Sequence, residues 1–219
     1  MAARRPLKGR LLIASPVIAD PNFTRSVILL TEHGPEGAMG LVLNRPAGTT
    51  VAEVVPDLDW IAEPDDRVHV GGPVAPTSVI VLAEFDEPER AALLIDTDLG
   101  FVPAEARERG ALVASLRRRR VFAGHAGWGP GQLEAELEED SWIIEPMRRE
   151  DVFAVDPEEL WAAVLRRKGR QYALLSTMPP DPSVNSPATE TRSLARPGAP
   201  PPPPSDQRLR RRCPGSGTP

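Results

Sequence analysis

Apolar residues in this chain cluster in short runs broken by glycine and proline, a pattern that predicts many brief strands rather than long helices. Leu11-Leu12-Ile13-Ala14 predicts a first strand over Arg10–Ala14, and Ser15–Asn22 a loop closed by Asp20-Pro21. Val27–Leu30 is the apolar centre of a second strand within Phe23–Glu32. Met39 with Leu41, Val42 and Leu43 makes a third. Unbroken apolar runs of this kind suit strands covered on both faces. Gly34–Gly37 lies between the two, which predicts an antiparallel hairpin with a loop of roughly four or five residues. Asn44-Arg45-Pro46 stops the third strand, because proline has no N–H to give to a ladder.

The later chain mixes the two periods. Thr50-Val-Ala-Glu53 has the form of a capping box and starts a short helix that Pro56 ends. Arg67–Val70 and Thr77–Phe85 read as strands around the Gly71-Gly72-Pro73 turn, with two more at Leu93–Ile95 and Gly100–Val102. Ala104–Arg120 is expected to be helical over part of its length, broken at Gly110. Val121-Phe122-Ala123 forms a short strand that leads into a glycine-rich element, Gly124–Gly131. Pro130 suits a first helical position, and Leu133 and Leu137 form an i, i+4 pair behind it. Trp142-Ile143-Ile144 is a strand. Asp156–Glu159 opens a helix with Leu160, Trp161, Val164 and Leu165 on one face, and Gly169 ends it. Strands and helices without strict alternation predict the α+β class.

Several of these stretches carry a resemblance. GRLLIASP (Gly9–Pro16), DPNFTRSVILLTEHG (Asp20–Gly34) and GPEGAMGLVLNRP (Gly34–Pro46) are similar to the amino-terminal signature of the YqgE/AlgH family. GGPV (Gly71–Val74), GHAGWGPGQLEAEL (Gly124–Leu137), Ser141-Trp142 and the DPSVN ending at Asn185 follow in order, so the resemblance spans roughly residues 7–185. One departure is His125, where the family more often has tyrosine. The resemblance implies a cytosolic bacterial protein without a settled activity. It also implies a mixed, largely antiparallel, partly closed, barrel-like sheet flanked by helices.

Composition narrows the picture. At 219 residues and 41% hydrophobic, the chain can bury one sizeable core, and a single domain over residues 1–185 is expected. No apolar run approaches the ~20 residues of a membrane-spanning helix. The lone cysteine, Cys213, excludes a disulfide within one chain and points to a cytoplasmic protein. Residues 186–219 hold nine prolines and six arginines, a composition that predicts a disordered Pro/Arg-rich tail. That tail carries +4 and the whole chain −5, so residues 1–185 carry −9. An acidic body of this kind repels phosphate backbones, which argues against duplex nucleic acid as its partner.

Chemistry is sparse. His33, His69 and His125 have no Cys or second His at metal-ligand spacing, so no metal and no cofactor are expected. No G-x-S-x-G elbow, Walker or Rossmann glycine pattern occurs. Glu134, Glu136, Glu138, Glu139 and Asp140 read as a solvated helix face, and Arg117–Arg120 as a helix C-terminus. What remains is a set of loops. Arg45 offers a planar fork suited to carboxylate or phosphate, with Arg25 and Asn44 as helpers. Gly71-Gly72 can aim backbone N–H groups as a small anion nest. Trp128, between glycines, precedes a helix start at Pro130–Gln132. The bland alternative is that the glycines make turns, Trp128 packs on the core and Arg45 pairs with Asp20.

The expected function is therefore a non-enzymatic binding or regulatory module that engages a small anion or a partner protein through Arg25, Asn44, Arg45, Gly71, Gly72, Trp128 and Gln132. An enzyme with a cryptic hydrolase-like site at His33 and Glu32 is the alternative, and an indirect role in transcription a further one.

Overall fold

The computed structural model describes residues 7–105 and 108–178, all within the first of two compact units, Met1–Pro182. The expected tail, 186–219, and the boundary at 185 lie outside the described residues. Ten strands run in chain order: β1 Arg10–Ala14, β2 Val27–Gly34, β3 Gly37–Val42, β4 Pro46–Thr50, β5 Arg67–Val70, β6 Val74–Phe85, β7 Leu93–Leu94, β8 Leu99–Phe101, β9 Leu116–Trp128 and β10 Trp142–Pro146. Among the described residues six α-helices accompany them: α1 Val51–Val54, α2 Arg109–Ala114, α3 Gln132–Glu138, α4 Arg149–Val152, α5 Leu160–Lys168 and α6 Arg170–Leu175. The main sheet has the order β10-β1-β2-β3-β9-β6-β8-β7 and curls into a half-barrel. Every pairing is antiparallel except β5 with β9. The fold is the α+β arrangement that the strand and helix patterns predict.

Strands β1 to β3 are buried on both faces, and alternation sorts their side chains. Leu11, Ile13, Leu29 and Leu41 face one cluster, which α5 closes with Leu160, Trp161, Val164 and Leu165. Leu12, Ala14, Ile28 and Val42 face another, closed by Leu133 of α3 and by Trp128 and Trp142. Full burial of each large apolar side chain contributes about 1.5–3 kcal/mol, so α5 is held by its stripe rather than by its propensity. Thr50 and Glu53 form the predicted capping box at α1, with both reciprocal bonds present.

Several local expectations change. The β2–β3 hairpin pairs Gly34 with Gly37, leaving only Pro35-Glu36 as a loop. Gly37 permits this at φ 126°, and a Cβ there would meet the Trp128 carbonyl at 2.2 Å. The largest change is β9. The arginine run and the glycine-rich element as far as Trp128 belong to one 13-residue strand, not to a helix end and a loop. Its first half pairs with β6, placing Arg118 opposite Glu84, and its second half pairs with β3. Helix α2 accordingly ends at Ala114 and spans Gly110 without a break.

Candidate functional site

Asn44 follows β3 and stitches the preceding loop to the sheet. Its Oδ1 accepts the Val27 N–H at 2.8 Å, and its Nδ2 donates to the Arg25 carbonyl at 2.9 Å. Between these bonds Arg25 is held at φ 54°, a left-handed conformation that costs a non-glycine residue on the order of 1–3 kcal/mol. The Arg25 guanidinium lies over the Trp161 ring, 4.8 Å from its centroid, and donates to the Met178 carbonyl. Arg45 donates to the carbonyls of Pro21 at 2.8 Å and Thr24 at 3.1 Å. Its fork is thus set by the loop backbone rather than by an ion pair with Asp20. Burial pulls the Arg45 pKa below the usual arginine value, and the Asp20 charge opposes that shift.

These residues line a cavity of about 330 Å³ together with Arg166, Glu158 and Glu159 from around α5. Several arginines elsewhere are paired with carboxylates. Arg118 and Arg149 share the buried Glu84, Arg119 reaches Glu63, and Arg167 grips Asp151 with two bonds. Among the described residues Arg25, Arg45 and Arg166 have no carboxylate within ion-pair distance, although two acids share their cavity.

The other sequence-predicted residues are placed elsewhere. Gly71 and Gly72 are buried where the chain crosses β9, and a Cβ on Gly71 would stand 2.2 Å from the Gly124 carbonyl. The Gly71 N–H is already given to the Ala123 carbonyl at 2.8 Å, so close approach of backbones explains this pair better than an anion nest. His125, the departure from the family pattern, sits in β9 with its carbonyl against Gly72. Trp128 is buried, stacks on Phe23 and meets Trp142 edge-on. Its indole N–H donates to Glu136 at 2.9 Å, and that carboxylate also accepts from the Trp142 indole at 2.7 Å and from Gln132 at 2.9 Å. Gln132 in turn accepts the Gly129 N–H at 3.0 Å. Glu136 is the centre of this network, and the acidic run therefore is not only a solvated face. Its signal in the sequence was a glutamate four residues after Gln132 and six before Trp142.

A larger cavity, of about 640 Å³, contains none of those seven residues. Its polar lining includes His33, Glu134, Asp140 and Lys168, and its apolar lining Leu137, Ile143 and Ile144. His33 pairs with Glu134 at 3.0 Å rather than with its neighbour Glu32, which is exposed on the opposite side of β2. The Leu7 N–H donates to Nδ1 at 3.2 Å, which leaves the ring proton on Nε2 facing Glu134. Neither nitrogen of the neutral ring has a free lone pair, so His33 is poorly set up as a general base. Among the described residues no group of three His, Cys, Asp or Glu side chains is placed to hold a metal ion, and no helix is long and apolar enough to cross a membrane.

A family model described as DUF179, AlgH-like, matches residues 11–173, from β1 into α6. The chain belongs to the AlgH-like family. The UPF0301 protein SCO2948 of Streptomyces coelicolor is 42% identical over 185 residues, covering 82% of this chain and 95% of its own. A UPF0301 protein of Thermobifida fusca is 39% identical over 194 residues, covering 83% and 97%. Two solved structures are similar in fold. The crystal structure of DIP2367 from Corynebacterium diphtheriae has a TM-score of 0.71 at 29% identity, covering 81% of this chain and 95% of that one. The solution structure of AlgH from Pseudomonas aeruginosa has a TM-score of 0.62 at 34% identity, covering 82% and 97%. The AlgH-like family has no settled function, and the names of these relatives state no reaction or substrate.

Proposed function

We propose that the protein is a non-enzymatic binding or regulatory module, and that its ligand is a small anion or a peptide carboxylate held at Arg25, Asn44 and Arg45. One observation carries the reading: among the described residues, three guanidinium groups without carboxylate partners line one cavity. Two of them, Arg25 and Arg45, are pre-set by backbone carbonyls, and Arg25 also by its left-handed backbone, which lowers the ordering cost of binding. Bidentate recognition of a carboxylate or phosphate is the chemistry that such groups perform best. Trp128 and Gln132 then act as scaffold, and Gly71 and Gly72 as a strand crossing. A protein partner that presents an acidic group would use the same cavity. A cytoplasmic home fits the single cysteine, and the −9 balance of residues 1–185 disfavours duplex nucleic acid.

The test is thermal unfolding of the full chain against a panel of anionic metabolites and short peptides, beside Arg45→Ala. A ligand at a hundred times its Kd adds about 2.7 kcal/mol. For a chain of this size that raises Tm by roughly 5–11 °C. A shift that persists in Arg45→Ala would move the site away from this cavity. No shift with any probe would remove the small-anion reading.

A further inference from the structure

A second cavity, of about 550 Å³, lies beside the first. Glu158 lines both, and Pro46 of the second directly follows Arg45 of the first. Strand pairing builds this junction. Pro46 of β4 is opposite His69 of β5, and the Val70 N–H donates to the Arg45 carbonyl at 2.8 Å. The parallel partner of β5 is β9, which brings in Arg120.

Arg120 donates to the carbonyls of Val152 at 2.9 Å and Ala154 at 2.7 Å, and no carboxylate stands within ion-pair distance of it among the described residues. His69 is 7% exposed, and its Nδ1–H donates to the Arg67 carbonyl at 3.3 Å. Its Nε2 is left as an acceptor. Arg67 itself is exposed at the rim. The two cavities together present five guanidinium groups, from Arg25, Arg45, Arg166, Arg67 and Arg120, mixed with the carboxylates of Asp156, Glu158 and Glu159.

This mixed lining discriminates between ligands. A polyphosphate packs its charges densely and meets three carboxylates at close quarters. An acidic peptide spaces single charges along its chain and also carries N–H groups, which the carboxylates and His69 Nε2 can accept. Among the described residues no exposed aromatic ring lines either cavity to stack a nucleobase, since Trp161 is buried under Arg25.

We propose that the two cavities form one groove that binds an extended acidic peptide segment, with one carboxylate at the Arg45 end and a second at the Arg67–Arg120 end. The proposal rests on the binding reading above and adds the second contact to it.

Calorimetric titration of the full chain with two short capped peptides tests the groove. One carries a single aspartate, and the other carries two about four residues apart, roughly 13 Å in an extended chain. The two-aspartate peptide is expected to bind about tenfold tighter, as one further charge-assisted contact would give. Arg67→Ala should erase that difference and leave the single-aspartate peptide unaffected, whereas Arg45→Ala weakens both. Arg120 is left intact because it holds backbone carbonyls. Equal affinity for the two peptides, with Arg45→Ala still harmful, would overturn the groove while leaving the single-cavity reading in place. Loss of all binding, together with no thermal shift by any small anion, sinks both. Inorganic tripolyphosphate binding more tightly than the two-aspartate peptide, through Arg67, would overturn the peptide assignment.

Discussion

The buried imidazole of His69 ties stability to pH. Burial, reinforced by the Arg120 charge, pushes its pKa from 6.5 down to about 4, against a smaller opposing effect of its bond to the Arg67 carbonyl. Between these values the unfolded chain binds a proton at His69 and the folded chain does not. Stability therefore falls as pH is lowered from about 6.5 to about 4, and this group adds no further loss below that. Each pKa unit corresponds to about 1.4 kcal/mol, so the full effect is about 3 kcal/mol. The perturbation is His69→Gln, which removes the titrating ring and keeps an amide donor for the Arg67 carbonyl. The other charged groups of that cavity, Arg67, Arg120, Asp156 and Glu158, remain in both proteins and cancel in the comparison. Urea unfolding measured at half-unit steps from pH 7 to pH 4 is the assay. With an m-value of about 2 kcal/mol/M, the wild-type midpoint should drop about 1.5 M further than that of the variant. Parallel profiles for the two proteins would refute the reasoning.

Two other substitutions probe the scaffold. Glu136→Ala strips the acceptor from two indole N–H groups, and a loss of about 2–4 kcal/mol is expected with a red shift in tryptophan emission; an unchanged unfolding midpoint would mean the clamp contributes nothing. Gly71→Ala sets a Cβ 2.2 Å from the Gly124 carbonyl, a backbone atom that cannot swing aside, so at least about 4 kcal/mol should be lost. A cooperative melt within a few degrees of wild type would show that the crossing has slack.

Local pattern was enough for β1, β2, β10, the α1 capping box and the buried face of α5, because each depends on a repeat or a cap within a few residues. The nearness of Asn44 to Arg25 follows from the predicted hairpin, since β3, which ends at Val42, lies antiparallel to β2, which begins at Val27. Strand β9 was not legible. Its arginines look helical or solvent-facing until β6 supplies Glu84 opposite Arg118, and its glycines look like a loop until Gly71 and Gly72 cross them. Pairing of Glu134 with His33 and of Glu136 with two tryptophans, and the placing of the Arg120 charge near His69, join residues from different elements. Hydrophobic periodicity is a property of neighbours in the chain, so the sequence alone determined the apolar strands β1, β2 and β10 and the buried face of α5. Charge and hydrogen-bond partners are set by which strands lie side by side, and only the tertiary structure decided those.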